Sequence, residues 1–276
     1  MLEPGRLGKN RSDLASILRT LRKEAGYTGK RLGSETSMSQ SRVSKIENGK
    51  LTPTVVDVQR ILEALDVPAE DRPEILALAK LANTEYRDVR SLLQKGLDKR
   101  QNELEGLEQS SRQLRYFLPV MITALLATPE YVRASLSHSS GDTTKAVARK
   151  LERQAVLYDE TKEFTFVLTE AAIRWAVLPA PLMALQVDRL ISLSHLSNIR
   201  LGVIPLGVES ARGPMNTFTV YDRRLVTAEL FSGSMALRDP RDIDFHLGLF
   251  AGFESIAVFG GAARDYLSAW TQAFRA

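Results

Sequence analysis

The stretch from Ser37 to Lys50 constrains this chain more than any other. Ser39 is a good helix N-cap, because its hydroxyl accepts from the free N–H groups of the following turn. Val43 and Ile46 lie three apart and share one helical face that can be buried. Gln40, Ser41, Arg42, Ser44 and Lys45 then fall on the outer faces, and Asn48-Gly49 is a stop signal. The pattern predicts a short helix buried on one side, with amide, hydroxyl and cationic groups on the other. Such groups suit base edges and phosphates in a major groove.

The flanking sequence predicts more short helices. Leu14, Ile17, Leu18 and Leu21 follow the i, i+3, i+4, i+7 rule after a cap at Ser12, and Gly26 closes that helix. A second helix starts near Thr28 and ends before Ser37. Thr52-Pro53 reads as a cap followed by proline in the first turn of a fourth helix reaching Leu65. A fifth begins near Ala69. Residues 11–82 are therefore expected to form an all-α five-helix bundle with the polar helix third, behind a flexible basic arm over residues 1–10.

Charge agrees with that placement. Residues 1–60 carry 12 Lys and Arg against 6 Asp and Glu, although the whole chain is only +4. Cationic excess is concentrated around the candidate recognition helix, as polyanion binding requires. The chain has no cysteine, which excludes disulfides and thiolate metal sites. The first residues contain no apolar signal core, and no apolar run reaches membrane-spanning length. A cytoplasmic protein, nucleoid-associated when on DNA, is expected.

The run Leu18-Arg19-x-Leu21-Arg22-x-Glu24-Ala25-Gly26-Tyr27-Thr28, then residues 39–50 and Thr52-Pro53, resembles the Xre (Cro/repressor-type) helix-turn-helix family. The resemblance covers about residues 11–82 and implies that the third helix enters the major groove. It implies contacts to bases or nearby phosphates from Gln40, Ser41 and Arg42, and backbone-positioning roles for Ser44, Lys45 and Asn48; Thr28 and Ser39 complete the DNA-binding candidates. Glu47 is expected to bond within the domain, since phosphate would repel it. Two departures from the family stand out: Gly29 replaces a glutamine after Thr28, and Ser37 replaces the small residue or glycine before the recognition helix.

Beyond the bundle, Leu93, Leu97, Leu104, Leu107 and Leu114 make a heptad-like seam in a charged, helix-forming stretch, so residues 83–115 read as a linker helix. Its seam serves either a dimer or the downstream domain. Residues 116–276 read as an α+β domain with a roughly four-stranded sheet, the strands at 164–169, 199–204, 217–221 and 225–231. The chain as a whole is thus expected to be an α+β multidomain protein. The segments around residues 119–131, 149–157 and 168–174, with Ile204-Pro205 and Asn216-Thr217-Phe218, resemble the domain that follows Xre-type bundles in many actinobacterial regulators. That resemblance implies sensing or partner binding, with Tyr131, Arg153, Arg174, Trp175 and Phe218 as the ligand- or partner-facing candidates.

Enzyme chemistry finds no constellation. His138, His195 and His246 are far apart, Phe259-Gly260-Gly261-Ala262 lacks a following Gly-Lys-Ser/Thr, and Ser210 lies in no nucleophile elbow. Neither metal nor cofactor is expected. The expected function is a homodimeric, sequence-specific transcriptional regulator on a pseudo-palindromic operator, modulated by a small molecule or small protein. The alternative is an antitoxin-like module that sequesters a small partner and binds DNA to regulate itself.

Overall fold

The computed structural model describes residues 6–88, 97–137 and 142–276, leaving aside the side chains of 6–11, 87, 88 and 97–100. The described residues fall into two units. One comprises those up to Asp88 together with Met235–Ile243, and the other those after Asp88 as far as Ser234 together with Asp244–Ala276.

The first unit contains α1 (Arg6–Glu24), α2 (Gly29–Glu35), α3 (Gln40–Glu47), α4 (Val55–Ala64), α5 (Arg72–Asn83) and the short strand β1 (Thr84–Asp88). The five expected helices are present. Their apolar stripes meet in one core built on Leu14, Leu18, Leu32, Val43, Ile46, Val58, Ile61 and Leu62. Each fully buried aliphatic side chain contributes about 1.5–3 kcal/mol by leaving water.

Three expectations change at the edges. Residues 6–10 belong to α1 rather than to a flexible arm, and residues 1–5 lie outside the described residues. The cap of α4 is Thr54, not Thr52. Thr54 Oγ1 accepts from Asp57 N (3.0 Å) and Asp57 Oδ2 accepts from Thr54 N (3.0 Å), a reciprocal capping box. Pro53, outside the helix, leaves its carbonyl to accept from the buried Asn83 side chain at 2.7 Å.

The third change is that the unit is not contiguous in sequence. Strand β7 (Gly233–Leu237) neighbours β1, Arg238 N donates to Asn83 O (3.2 Å), and the Arg238 guanidinium pairs with Glu85 (3.3 Å). Nothing local announces that return, because it is a pairing between segments about 150 residues apart.

The second unit holds α6 (Leu97–Ser110), β2 (Gln113–Leu118), α7 (Pro129–Ser135), α8 (Thr144–Glu152) continued by a 3₁₀ turn (Arg153–Tyr158), and β3 (Glu163–Thr169). Then follow α9 (Glu170–Arg174), α10 (Ala180–Leu193), β4 (Ile199–Ile204), β5 (Phe218–Tyr221), β6 (Leu225–Leu230), β8 (Val258–Phe259) and α12 (Gly260–Arg275). Helix α11 (Pro240–Ile256) has its first residues in the first unit and the remainder here. The strands run in the order β6-β5-β2-β3-β4-β8. β2, β3 and β4 are parallel, joined by helical crossovers, while β5, β6 and β8 add antiparallel edges.

The four expected strands are all present, and the fold is α+β. Of the expected linker helix over 83–115, the described residues are helical at 97–110, while Leu93 lies outside the described residues. The two ends of that span are strands: β1, and the central strand β2. Phe117 and Leu118 of β2 are buried and the strand is covered on both faces, so it shows no clean alternation. Phe117 stacks on Phe253 at 4.0 Å, and Tyr116 on Phe166 at 4.8 Å.

The β5–β6 hairpin turns at Asp222, whose φ is +51°. Its carboxylate accepts from Arg112 N (2.9 Å) and Gln113 N (2.8 Å), which fixes the hairpin to the start of β2. Burial acts against that ionised carboxylate, but the two backbone donors and Arg224 outweigh it and hold Asp222 below the ordinary range.

Candidate nucleic-acid interface

The interface is built on the α2–turn–α3 segment of the first unit. Thr28 caps α2, its hydroxyl accepting from Arg31 N at 3.1 Å. The turn is tight. Met38 N donates to Gly33 O at 2.8 Å, and a Cβ on Gly33 would sit only 2.6 Å from Met38 O, so the close approach requires glycine there. Ser37 adopts φ +57°, a conformation that costs a residue with a Cβ about 1–2 kcal/mol.

Ser39 caps α3, accepting from Arg42 N at 3.1 Å, as its position predicts. Val43 and Ile46 are buried, while Gln40, Ser41, Arg42, Ser44, Lys45 and Asn48 are exposed. The outer face is therefore the polar, cationic one. Asn48 Nδ2 donates to Ser44 O (2.8 Å), and Gly49 takes φ +67° to end the helix. A Cβ at Gly29 would lie 4.0 Å from Gln40 Cγ, so the start of α2 and the first turn of α3 lie side by side.

Two ion pairs hold the helix in place. Glu47 accepts from Arg22 Nε (2.6 Å) and Nη2 (2.8 Å), and Arg22 Nη1 donates to Tyr27 O (2.7 Å). The hydrogen bond to Glu47 raises the Arg22 guanidinium above its ordinary value. Glu47 thus anchors α3 to α1, the internal role expected of it. The second pair was not legible in the sequence: Arg42 Nη2 donates to Asp57 Oδ2 at 2.8 Å, with 44% of the Arg42 side chain still exposed. Burial would lift the Asp57 carboxyl, but Arg42 and the Thr54 cap outweigh it and hold it below the ordinary range. Asp57 therefore orients Arg42 as well as capping α4.

Cationic groups that the sequence reading did not single out lie nearby. Arg19 lines a shallow cleft of about 580 Å3 with Ser12, Ser16, Asn48 and Gly49. Lys30 and Arg31 are exposed on α2, and the Arg31 guanidinium lies 3.8 Å from the Tyr27 ring centroid. The signal for Arg19 was present in the spacing of Ser12, Ser16 and Arg19 opposite the Leu14/Leu18 stripe.

The five candidates in the second unit are not brought together as one pocket. Tyr131 is buried and its phenolic oxygen accepts from Ile122 N (3.2 Å). Phe218 is buried against Phe117 and His246. Arg153 is only 6% exposed and is engaged by Glu108 and Gln101. Arg174 pairs with Glu170 one turn back (2.6 Å) and Trp175 is 69% exposed. Three of these side chains are internal, and the other two are on the surface.

A family model described as "Helix-turn-helix domain" matches residues 13–75, and one described as "Domain of unknown function (DUF5753)" matches residues 101–269. With the geometry above, the first match identifies the N-terminal unit as a helix-turn-helix DNA-binding domain. No curated protein matches the chain. Among solved structures, TrmBL2, described as an archaeal chromatin protein with a novel mode of DNA binding, matches at 10% identity and a TM-score of 0.34. The alignment covers 73% of this chain and 66% of that one, just under two-thirds of its length. Among the described residues, no helix is long and apolar enough to cross a membrane.

Proposed function

This chain belongs to the DUF5753 family, and from that premise, with a helix-turn-helix domain ahead of the family's domain, we propose that it is a sequence-specific transcriptional regulator of Xre type. It acts in the cytoplasm as a homodimer, without enzymatic activity, and its operator occupancy is set by an effector bound to the second unit. The observation that carries this reading is the outward polar face of α3, held by buried Val43 and Ile46 and by the Arg22–Glu47 pair. Gln40, Ser41 and Arg42 read bases, while Thr28, Ser39, Ser44, Lys45 and Asn48 set register on the backbone. One such helix makes few base contacts, so two half-sites roughly 34–36 Å apart are needed.

Selection from random duplexes tests this. The expected product is a two-fold symmetric motif whose half-sites are one helical turn apart, bound less tightly as salt rises. Failure to enrich any motif, or a lone asymmetric half-site, contradicts it.

A second reading has one observation in its favour. Trp175, Leu206, Met215 and Phe231 of the second unit are large apolar side chains left exposed, each of a kind that can anchor a protein partner. In that antitoxin-like reading, the second unit sequesters a small protein and DNA binding is autoregulatory. Co-purification from the native host followed by mass spectrometry separates the two readings.

A further inference from the structure

The second unit contains a cavity that none of the sequence candidates lines. It is about 520 Å3, between the loop at residues 209–212 and the outer face of α11. Phe245, Gly248, Leu249, Gly252, Phe253 and Ile256 form its floor and walls. The two glycines leave a flat strip on the helix: a Cβ at either would meet nothing within 4 Å. Phe245, more than half exposed, stands at one end of that strip.

Its polar lining residues are Glu209, Ser210, Arg212, Asp244 and Ser255, and the two serine hydroxyls donate to the Arg212 and Gly252 carbonyls. Asp244 is already paired with Arg223. The Arg212 guanidinium carbon lies 5.8 Å from the Phe245 ring centroid, so a cation sits beside an aromatic wall. Glu209 shares the rim and opposes it in charge.

We propose that this cavity is a small-molecule site for a flat, largely apolar ligand carrying one acidic group. The apolar body lies on the Gly248/Gly252 strip against Phe245 and Phe253, and the acidic group faces Arg212. The volume falls within the roughly 300–1,000 Å3 of small-ligand pockets. The 12 residues lining it fall short of the roughly 20–30 per side of a stable protein interface. This site deepens the effector reading above and rests on it for its regulatory meaning. It lies along α11, whose residues up to Ile243 group with the DNA-binding unit.

Two dyes with the same ring system test the chemistry on the full chain: 8-anilinonaphthalene-1-sulfonate and the uncharged N-phenyl-1-naphthylamine. The sulfonate is expected to bind with one-to-one stoichiometry and several-fold more tightly than the neutral dye. Arg212→Ala should erase that difference, and Glu209→Gln should tighten the sulfonate. Gly252→Leu fills the strip from an exposed helix position, where leucine also has the better helix propensity. It should lower affinity for both dyes at least tenfold while the circular dichroism spectrum and melting temperature hold.

Dye binding that survives Gly252→Leu, or no binding at all, overturns the site. Equal affinities for the two dyes overturn the acidic group. Sedimentation velocity showing that Gly252→Leu dissolves a dimer assigns the groove to a second copy of the chain and overturns it as well. DNA binding is followed in the same samples. A dye that binds as described yet leaves DNA affinity unchanged supports the site and overturns only the effector reading.

Discussion

Helices α3 and α6 use opposite faces to join their domains. α3 turns Val43 and Ile46 inward and its polar groups outward. α6 buries Gln101 and Glu108, a heptad apart, and leaves Leu104 and Leu107 only half-buried. Both inward groups of α6 meet Arg153, and Glu108 also accepts from the Tyr116 hydroxyl (3.3 Å). The difference lies in the surface each helix covers. α3 covers an aliphatic core. α6 covers a guanidinium that is almost wholly out of water, and such a charge requires a partner and hydrogen bonds. Lys162 adds to the arrangement, its ammonium donating to Gln109 O (2.6 Å) and Ser111 O (2.8 Å) where α6 ends.

The ion pairs of the two units also differ in electrostatic sign. Asp57, half-wrapped by its cap and by Arg42, is held below the ordinary carboxylate range. Glu108 is pushed above that range by burial, with Arg153 and Tyr116 pulling against the shift. The surface-proximal pair favours its ionised carboxylate, whereas in the buried site desolvation dominates.

The sharpest way to break this comparison is Glu108→Ala, which leaves Arg153 buried and unpaired. It should cost about 3–5 kcal/mol, whereas replacing both partners by apolar residues of similar volume should be neutral or stabilising. Urea unfolding followed at the buried Trp270 reads this directly, because both tryptophans, Trp175 and Trp270, lie in the second unit. A loss below about 1 kcal/mol, the value of an exposed pair, would reduce Glu108 to ordinary surface electrostatics.

A smaller effect is expected in the first unit. Ser37→Gly relieves the positive φ but adds freedom to the unfolded chain, so a net gain of about 0.5–1 kcal/mol should appear in thermal melts. A loss of stability there would mean that the Ser37 side chain contributes more than its backbone strain costs.

The gentlest probe is pH. Asp57 contributes stability above the ordinary carboxylate pKa that is lost as pH falls through its lower folded value. Glu108 has the opposite slope: stability linked to it declines as pH rises from the ordinary value through its raised folded one. Asp57→Asn should therefore flatten the acid limb of the stability profile, and Glu108→Gln should remove the opposing slope. Identical profiles for the two variants would erase the distinction drawn between the pairs.

The same contrast explains what was legible in the sequence. Helix α3, its Ser39 cap, its Gly49 stop and the inward role of Glu47 could be read because apolar spacing, capping and charge repulsion are local signals. The leucine seam misled in facing at Leu104 and Leu107, since a buried ion pair sends the polar side of α6 inward. Strand β2 was hidden by being covered on both faces. The Arg42–Asp57 contact, the Gly33 close approach and the return of residues 235–243 depend on tertiary placement, which spacing along the chain does not encode. The cavity on α11 was hidden for a related reason: the loop at residues 209–212 meets Gly248 and Gly252 only through tertiary placement.

Everything functional rests on the exposed face of α3, and Gln40→Ala tests it most directly, because Gln40 is exposed and outside the buried core. Fluorescence anisotropy would compare the full chain and this variant on the selected operator and on a scrambled duplex. The account predicts that the variant keeps its melting temperature and its affinity for the scrambled duplex while losing roughly 1–3 kcal/mol of discrimination. Undiminished discrimination, or a wild-type chain that binds neither duplex at low salt, would contradict it.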